Sequence, residues 1–113
     1  AHLGGLAAEE AVARDYVRRG LTVAARRWRG AGGEIDLILR DSAGLVFVEV
    51  KSARTLAVAA SRLTRRQMDR ICLSALDFLN GEPGGSLTAM RFDLATVDRQ
   101  GRIEICENAF ADA

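Results

Sequence analysis

Hydrophobic and polar positions repeat with a helical period in two parts of the chain. Residues 5–19 form the first predicted helix, and Gly20 follows as its C-terminal stop. Its predicted apolar face consists of Leu6, Ala13, Tyr16 and Val17. The second predicted helix ends at Asn80-Gly81, and its apolar positions follow the i, i+3, i+4, i+7 rule. These positions are Met68, Ile71, Cys72, Ala75, Leu76 and Leu79.

Five other segments have the apolar content or the two-residue alternation of β-strands. They are residues 21–28, 34–40, 45–51, 87–97 and 102–106. In the second of these, alternation places Glu34, Asp36, Ile38 and Arg40 on one side and Ile35, Leu37 and Leu39 on the other. A turn sequence at residues 41–44 predicts an antiparallel hairpin, and Gly101 is predicted to be left-handed in the last turn. Arg91 and Asp93 share a strand face, where they form either an internal ion pair or part of a basic surface.

The order of these elements is α-β-β-β-α-β-β, which predicts a mixed α/β sheet with helices packed on it. Residues 52–62 have no clear period, and residues 82–86 are rich in glycine, so both segments are predicted to be loops. A chain of 113 residues without repeats or linkers is expected to form a single domain, residues 1–113.

The chain as a whole is nearly neutral, so any binding of nucleic acid must depend on local groups of basic residues. Sixteen Lys and Arg residues against fifteen Asp and Glu residues leave a net charge of +1, and only 5% of the residues are aromatic. Electrostatic contact with a polyanion must therefore come from local patches. Two groups qualify: Arg26, Arg27 and Arg29 before a glycine loop, and Arg62, Arg65, Arg66 and Arg70 around the second helix start. Arginine suits bidentate phosphate contact, although arginines on a merely solvated face would have the same pattern.

Cysteine usage and hydropathy indicate the compartment. Cys72 and Cys106 lack CxxC spacing and fall in apolar stretches, which predicts free buried thiols in a reducing cytoplasm. No apolar run approaches membrane-spanning length, and the charges within the first twenty residues argue against a signal peptide. We therefore expect a cytoplasmic protein without membrane contact.

Three charged residues lie in segments that are otherwise apolar. Asp36 is in the second predicted strand, and Glu49 and Lys51 end the third. Burying such charges costs several kcal/mol unless they pair or bind a metal. Glu49 and Lys51 project to the same face as Phe47, and the hairpin brings Asp36 opposite that end of the strand. The sequence thus predicts two neighbouring carboxylates with a lysine beside them.

The predicted carboxylate pair has the character of a metal site, because a divalent cation relieves the repulsion between the two groups. Oxygen-only ligands select Mg²⁺ or Mn²⁺ over zinc, and the Val50 carbonyl could supply a further oxygen. The Lys51 ammonium can orient an attacking water and stabilise charge on a scissile phosphate. This pattern favours metal-assisted hydrolysis of phosphodiesters. The alternative is a surface Glu49–Lys51 pair on an edge strand, with Asp36 as a solvated residue.

The same residues carry a resemblance to a known protein family. Asp36, thirteen residues before Glu49 in the triplet Glu49-Val50-Lys51, resembles the motif of the PD-(D/E)XK restriction-endonuclease-like superfamily. Three strings are similar to its bacterial YraN branch, whose fold resembles archaeal Holliday-junction resolvases: Gly32-Gly33-Glu34-Ile35-Asp36-Leu37-Ile38, Val46-Phe47-Val48-Glu49-Val50-Lys51 and Arg91-Phe92-Asp93. The resemblance implies a core sheet flanked by helices, Asp36 and Glu49 as metal ligands, Lys51 as the catalytic lysine, and DNA as the substrate.

The resemblance also implies a glutamate on the first helix that reaches the metal. Counting back from Gly20 favours Glu9, whereas the predicted apolar face of the helix favours Glu10, which we prefer. Either residue could instead be a solvent-facing acid stabilised by the helix dipole. Related nucleases have a glutamine near the second helix, which makes Gln67 a candidate contact. Thr64 and Gln67 also fit a capping box, in which Gln67 only satisfies backbone donors, and this interpretation is preferred.

These observations predict a Mg²⁺-dependent endonuclease acting on the phosphodiesters of branched or otherwise structured DNA. The alternative is a nuclease-fold module that binds nucleic acid or a DNA-repair partner without cutting. A domain of this size has little surface for a branched junction, so a homodimer is expected. His2 is the only histidine, which argues against histidine-based acid–base or zinc catalysis.

Overall fold

Five strands form one sheet, and helices cover both of its faces. The computed structural model describes residues 5–110, and no helix in this range is long and apolar enough to cross a membrane. The helices are α1 (Gly5–Arg18), α2 (Leu56–Ser61) and α3 (Arg65–Leu79), with a 3-10 helix at Gly85–Leu87. The strands are β1 (Thr22–Gly30), β2 (Gly33–Arg40), β3 (Leu45–Ser52), β4 (Met90–Val97) and β5 (Ile103–Cys106). The mixed α/β class is confirmed, and one added helix makes the order α-β-β-β-α-α-β-β.

The strands lie in the sheet in the same order as in the chain. Neighbours are antiparallel except β3 and β4, which run parallel and are connected through α2 and α3. Strands β2 and β3 pair from Leu37–Val48 to Arg40–Leu45, which confirms the predicted hairpin. Gly101 has a φ of 85° between β4 and β5, which confirms its left-handed position.

Two hydrophobic clusters pack on opposite faces of the sheet. On the α1 side lie Ala8, Val12, Ala13, Tyr16, Leu37, Leu39, Val46, Val48, Ala95 and Val97. On the α3 side lie Ile35, Ile38, Leu45, Phe47, Ile71, Ala75, Leu79 and Phe110. Alternation along β3 separates the two sets, with Val48 on the α1 side and Phe47 on the α3 side. Glu49 has the parity of Phe47, so its side chain leaves the strand toward α3.

The packed face of helix α1 is rotated from the predicted one and shares Ala13 and Tyr16 with it. Leu6 and Val17, predicted to lie on the packed face, are 67% and 52% exposed. The buried residues of the helix are Ala8, Val12, Ala13 and Tyr16. Tyr16 fixes the rotation, because its hydroxyl donates a 2.7 Å hydrogen bond to the fully buried carboxylate of Asp93. The alanines allow the helix to approach the sheet closely around this bond.

The Asp93 carboxylate is the centre of a buried polar network. Besides Tyr16, the Arg91 Nε donates to it at 3.0 Å and the Asn108 amide at 3.2 Å. Arg91 and Asp93 therefore form the internal ion pair, one of the two predicted alternatives. Burial and the bond to Asp93 raise the pKa of Tyr16 well above its ordinary value, so the hydroxyl remains the donor.

Three further expectations are wrong. Residues 52–62 are not a loop throughout, because the Thr55 hydroxyl caps the N-terminus of the short helix α2. Leu76 is 53% exposed, because α3 packs through a narrower stripe than predicted. Cys106 is exposed, because it lies on the edge strand β5, and Cys72 is only partly buried; both are free thiols as predicted.

The glycine turn between β1 and β2 is docked directly onto helix α3. Gly32 donates its amide to the Ser74 Oγ at 3.0 Å, and the same hydroxyl donates to the Gly33 carbonyl at 2.7 Å. The Ala31 amide donates to the Asp77 carboxylate at 2.6 Å. A Cβ on Gly32 would lie 2.1 Å from the Arg70 carbonyl oxygen, so only glycine fits there. This contact fixes the start of β2, the strand that carries Asp36.

We predict that Gly32→Ala lowers the free energy of unfolding by about 1–3 kcal/mol, because the new methyl group forces the turn away from α3. Gly81→Ala is the matched control, since its Cβ would lie 3.6 Å from the nearest atom, the Phe78 carbonyl oxygen, and should change stability by less than about 0.5 kcal/mol. Urea unfolding of both variants measures the difference. Equal stability of the two variants would show that the turn is not held against the helix.

Candidate metal centre

The end of the β2–β3 hairpin brings Asp36, Glu49 and Lys51 together, as the sequence predicts. Backbone pairing between the strands stops at Leu37, and beyond it the Asp36 Oδ2 accepts the Val50 amide at 2.8 Å. The Glu49 carboxyl lies close enough to Asp36 for its negative charge to raise the pKa of that carboxyl. The Lys51 Nζ lies 3.2 Å from the Glu49 Oε2, and these two side chains are only 17% and 11% exposed. They are therefore not the solvated surface pair of the alternative interpretation.

The Val50 carbonyl also faces this site. In a β-strand the amide and the carbonyl of one residue point to the same neighbouring strand. The Val50 amide points toward Asp36 on β2, so the Val50 carbonyl does as well. Since pairing with β2 has ended at Leu37, the backbone of β2 is not paired with this carbonyl. A third oxygen is thus directed toward the carboxylate pair.

Strand β2 does not alternate regularly beside Asp36. Ile35 packs with Ile38 on the α3 side, whereas the sequence predicts it on the same side as Leu37. On the facing strand, Arg27 has a left-handed φ of 46°, which is rare for a residue other than glycine. The predicted alternation is therefore wrong at this point, because both strands depart from regular geometry where the site begins.

The Asp36 carboxyl is difficult to ionise in this environment. Its pKa is raised from the ordinary 3.8 to about 7, first by burial and then by the negative charge of Glu49. The Val50 amide and the Lys51 ammonium act in the opposite direction but do not compensate fully. A group that adds positive charge between the two carboxyls would remove most of this cost.

Both glutamates of α1 line a small cavity with Asp36, and Glu9 is the more buried of the two. The Glu9 side chain is 16% exposed, and the charge of Asp36 contributes to raising its pKa, after the larger effect of burial. The Glu10 side chain is 49% exposed and is paired with Arg26 at 2.6 Å. The helix face that favours Glu10 includes Leu6 and Val17, which are both exposed. Glu9 is one turn from the buried Ala13, which places it beside the sheet.

The Glu49 side of the site opens into a cavity of about 280 Å³ on the α3 face of the sheet. Arg29 from β1 and Arg70 from α3 line this cavity together with Glu49 and Gln67. The nearest carboxylate oxygen recorded for Arg29, on Glu34, is 4.0 Å away. Two guanidinium groups are therefore available within the cavity that the Glu49 carboxylate borders.

The other predicted nucleic-acid contacts have mostly structural partners. Arg62 donates to the Ser52 carbonyl at 3.1 Å, and Arg65 pairs with Asp69 at 3.3 Å. Arg66 is exposed on the first turn of α3. The capping box is confirmed, since the Thr64 and Gln67 side chains each accept the other's backbone amide at 3.1 Å. Gln67 thus caps the helix and lines the cavity at the same time.

The sequence did not indicate which arginines line the cavity and which are paired with carboxylates. Arg70 belongs with Arg29 across the cavity rather than with the other arginines of the second patch. Arg27 is engaged by Glu9, with Nε–Oε1 and Nη2–Oε2 distances of 2.8 and 3.3 Å. Spacing of three residues from Gln67 could have indicated Arg70, because it places both on one helix face. The left-handed backbone at Arg27 has no sequence signal.

Among residues 5–110, no group of three or more His, Cys, Asp and Glu side chains is arranged to hold a metal ion. The site consists of two carboxyl groups, with Glu9 nearby but bound to Arg27. His2, set aside as a catalytic residue, lies outside the described residues.

The fold and the site define a mixed α/β protein with a partly buried carboxylate pair and a lysine at the end of a hairpin. The sequence model of the Uncharacterised protein family UPF0102 matches residues 8–97. A UPF0102 protein of Cereibacter sphaeroides strain ATCC 17025 is 63% identical over 110 residues, which cover 97% of this chain and 94% of the relative. A UPF0102 protein of Ruegeria pomeroyi is 58% identical over 109 residues, covering 96% and 89%. One of Dinoroseobacter shibae is 48% identical over 108 residues, covering 96% and 81%. The chain belongs to the UPF0102 family.

We predict that Asp36 makes the stability of the metal-free protein fall as the pH rises. Between 3.8 and about 7 the folded protein holds a proton that the unfolded chain has released, so raising the pH through this window lowers the free energy of unfolding. The variant Asp36→Asn lacks this loss, because its side-chain amide cannot ionise. In EDTA, the Tm of Asp36→Asn minus that of the unmodified protein should increase between about pH 5 and pH 8. A difference that stays constant with pH would contradict the raised pKa.

Proposed function

We propose that this protein is a Mg²⁺-dependent endonuclease of the PD-(D/E)XK superfamily that hydrolyses DNA phosphodiesters. The observation that carries the proposal is the meeting of three charged groups at the end of the β2–β3 hairpin. The Asp36 carboxyl accepts the Val50 amide at 2.8 Å, and the Lys51 ammonium lies 3.2 Å from the neighbouring Glu49 carboxyl. The resemblance of the strings around these residues to that superfamily supports the same assignment, and the mixed α/β fold is compatible with it.

The donor set fits a hard divalent cation. Asp36 and Glu49 offer carboxylate oxygens, Val50 offers a carbonyl, and Glu9 is the nearest carboxylate of α1; Mg²⁺ and Mn²⁺ prefer such oxygen ligands. The raised pKa of Asp36 supports this fit, because a cation would allow both carboxyls to be ionised at neutral pH. When bound, the ion would supply Lewis-acid activation of water and neutralise charge on the phosphate.

Lys51 has the position of a residue that stabilises a reacting phosphate. Its ammonium is mostly removed from solvent and is held by Glu49 at the open end of β3. In such a place a positive charge interacts with developing negative charge more strongly than in water. We assign Lys51 the roles of orienting the attacking water and stabilising the charge of the transition state.

The cavity on the α3 face is our proposed path for the DNA backbone. Arg29 and Arg70 can each donate two parallel hydrogen bonds to a phosphate, and both lie in the cavity that Glu49 borders. The longest dimension of the protein is 41 Å, which is about one turn of B-DNA. One copy covers a single duplex arm, so we propose that two copies act together on branched or structured DNA.

A second candidate function is a nuclease-fold module that binds DNA or a DNA-repair partner without cutting it. The observation that favours this candidate is the state of the first-helix glutamates. Glu9 and Glu10 are both paired with arginines, so only two carboxyls meet at the site. A site with two carboxylates and no third ligand from α1 would bind a divalent cation weakly.

We predict that the protein nicks branched DNA in the presence of Mg²⁺ or Mn²⁺. Asp36→Asn and Glu49→Gln should abolish cleavage because each removes a ligand of the cation, and Lys51→Ala should reduce the rate roughly a hundredfold or more because it removes the positive charge beside the reacting phosphate. Glu107→Gln changes an exposed carboxylate beside Arg91, which pairs with Val46 at the other end of β3 from Lys51, and serves as the control with full activity. Labelled branched substrates separated on denaturing gels measure the products. Cleavage that survives Asp36→Asn would sink the assignment.

Calorimetric titration with Mn²⁺ separates the two candidate functions. For the endonuclease we expect Mn²⁺ binding that Asp36→Asn removes, with affinity increasing up to about pH 7 as the Asp36 proton becomes easier to displace. The binding module instead predicts that labelled DNA is retarded in gels while Mn²⁺ binding is undetectable. This second result would replace the endonuclease with the non-cutting module.

A further inference from the structure

The Glu9–Arg27 ion pair is a two-point contact beside Asp36, and the proposed hydrolysis gives Arg27 no role. Arg27 donates through Nε to Oε1 at 2.8 Å and through Nη2 to Oε2 at 3.3 Å, and both residues line a small cavity with Asp36. The Glu9 side chain is 16% exposed, against 49% for its neighbour Glu10. The Glu9 carboxylate is therefore held mostly out of water near the charge of Asp36, while the Arg27 side chain is 42% exposed.

The backbone of Arg27 has an unfavourable conformation in the position where its side chain meets Glu9. Of the described residues other than glycine, only Arg27 and Asn108 have a positive φ, and Arg27 has it in the middle of a strand. Such a conformation costs about 1 kcal/mol or more and persists only where surrounding contacts maintain it. The contact with Glu9 is the one that the Arg27 guanidinium makes among the described residues.

The charges of the site explain what this pair can do. Three carboxylates (Glu9, Asp36 and Glu49) and two cations (Arg27 and Lys51) leave one net negative charge when all are ionised. A divalent cation changes this to one net positive charge, and one phosphodiester group then neutralises it. Arg27 is needed as a counter-ion only while Glu9 has no other cation as a partner.

We propose that Arg27 is the resident counter-ion of Glu9 and is exchanged to a DNA backbone phosphate once Glu9 has a divalent cation as its partner. This inference rests on the proposed function, because it uses the same cation site and the same substrate. It assigns Arg27 a positioning role for the phosphodiester and couples cation binding to DNA binding through one ion pair. The exchange keeps the mostly buried Glu9 carboxylate paired with a cation in both states.

Reciprocal substitutions test the exchange by binding rather than by activity. Arg27→Ala releases Glu9, so Mn²⁺ should bind roughly two- to fivefold more tightly in calorimetry without DNA. The same variant should bind a fluorescent branched DNA more weakly in Ca²⁺, and the dependence of log K on log salt should become less steep by about one phosphate contact. Glu9→Gln should have the opposite effects: weaker Mn²⁺ binding, and tighter DNA binding in EDTA because Arg27 is released.

Two further variants make the outcome decisive. Arg27→Gly removes the guanidinium while tolerating the left-handed backbone, and it should reproduce Arg27→Ala if the side chain is responsible. Arg40→Ala breaks a similar two-point ion pair, with Glu82 at the hairpin turn, and should change neither affinity. If Arg27→Ala and Arg27→Gly weaken Mn²⁺ binding or leave both affinities unchanged, the exchange is overturned. If instead Asp36→Asn leaves Mn²⁺ binding intact, the cation site itself is wrong and the proposed function fails.

Discussion

The hydrogen bond from the Val50 amide to the Asp36 carboxylate is the contact on which the site depends. It satisfies a backbone donor that β2 no longer pairs, so the two strands can separate beyond Leu37 without leaving that donor unpaired. It also fixes the Asp36 carboxyl beside the backbone of Val50, the residue between Glu49 and Lys51, and leaves the Val50 carbonyl facing the same space. Two acidic groups thereby meet at the end of a packed hairpin, where burial makes their charges costly.

The remaining fold holds this hairpin end from both faces. On one face, the Tyr16 hydroxyl bonds to the buried Asp93 carboxylate and sets the rotation of α1, which brings Glu9 toward Asp36. On the other face, Ser74 on α3 binds the glycine turn that starts β2. Because both anchors are side-chain hydrogen bonds to packed elements, the site lies on rigid secondary structure. We consider this arrangement suited to a reaction whose groups must be held in fixed positions.

Local patterns were sufficient to predict the strands, the hairpin and the meeting of Asp36, Glu49 and Lys51. These features depend on a two-residue period and a short turn, which the sequence contains directly. The rotation of α1 was not predictable in the same way, because it depends on the long-range bond to Asp93, and exposed Leu6 and Val17 gave a misleading face. Helix α2 was missed because a stretch of small apolar residues has no helical stripe to detect.

The most direct measurement of the central claim is the anomalous diffraction of a crystal soaked in Mn²⁺ above pH 7. Our account predicts one ion between the Asp36 and Glu49 carboxylates, with both carboxyls ionised and the Glu9 side chain turned away from Arg27. If Mn²⁺ binds at other positions in the crystal and no anomalous density lies between these two carboxyls, the assignment of this pair as a metal centre is contradicted.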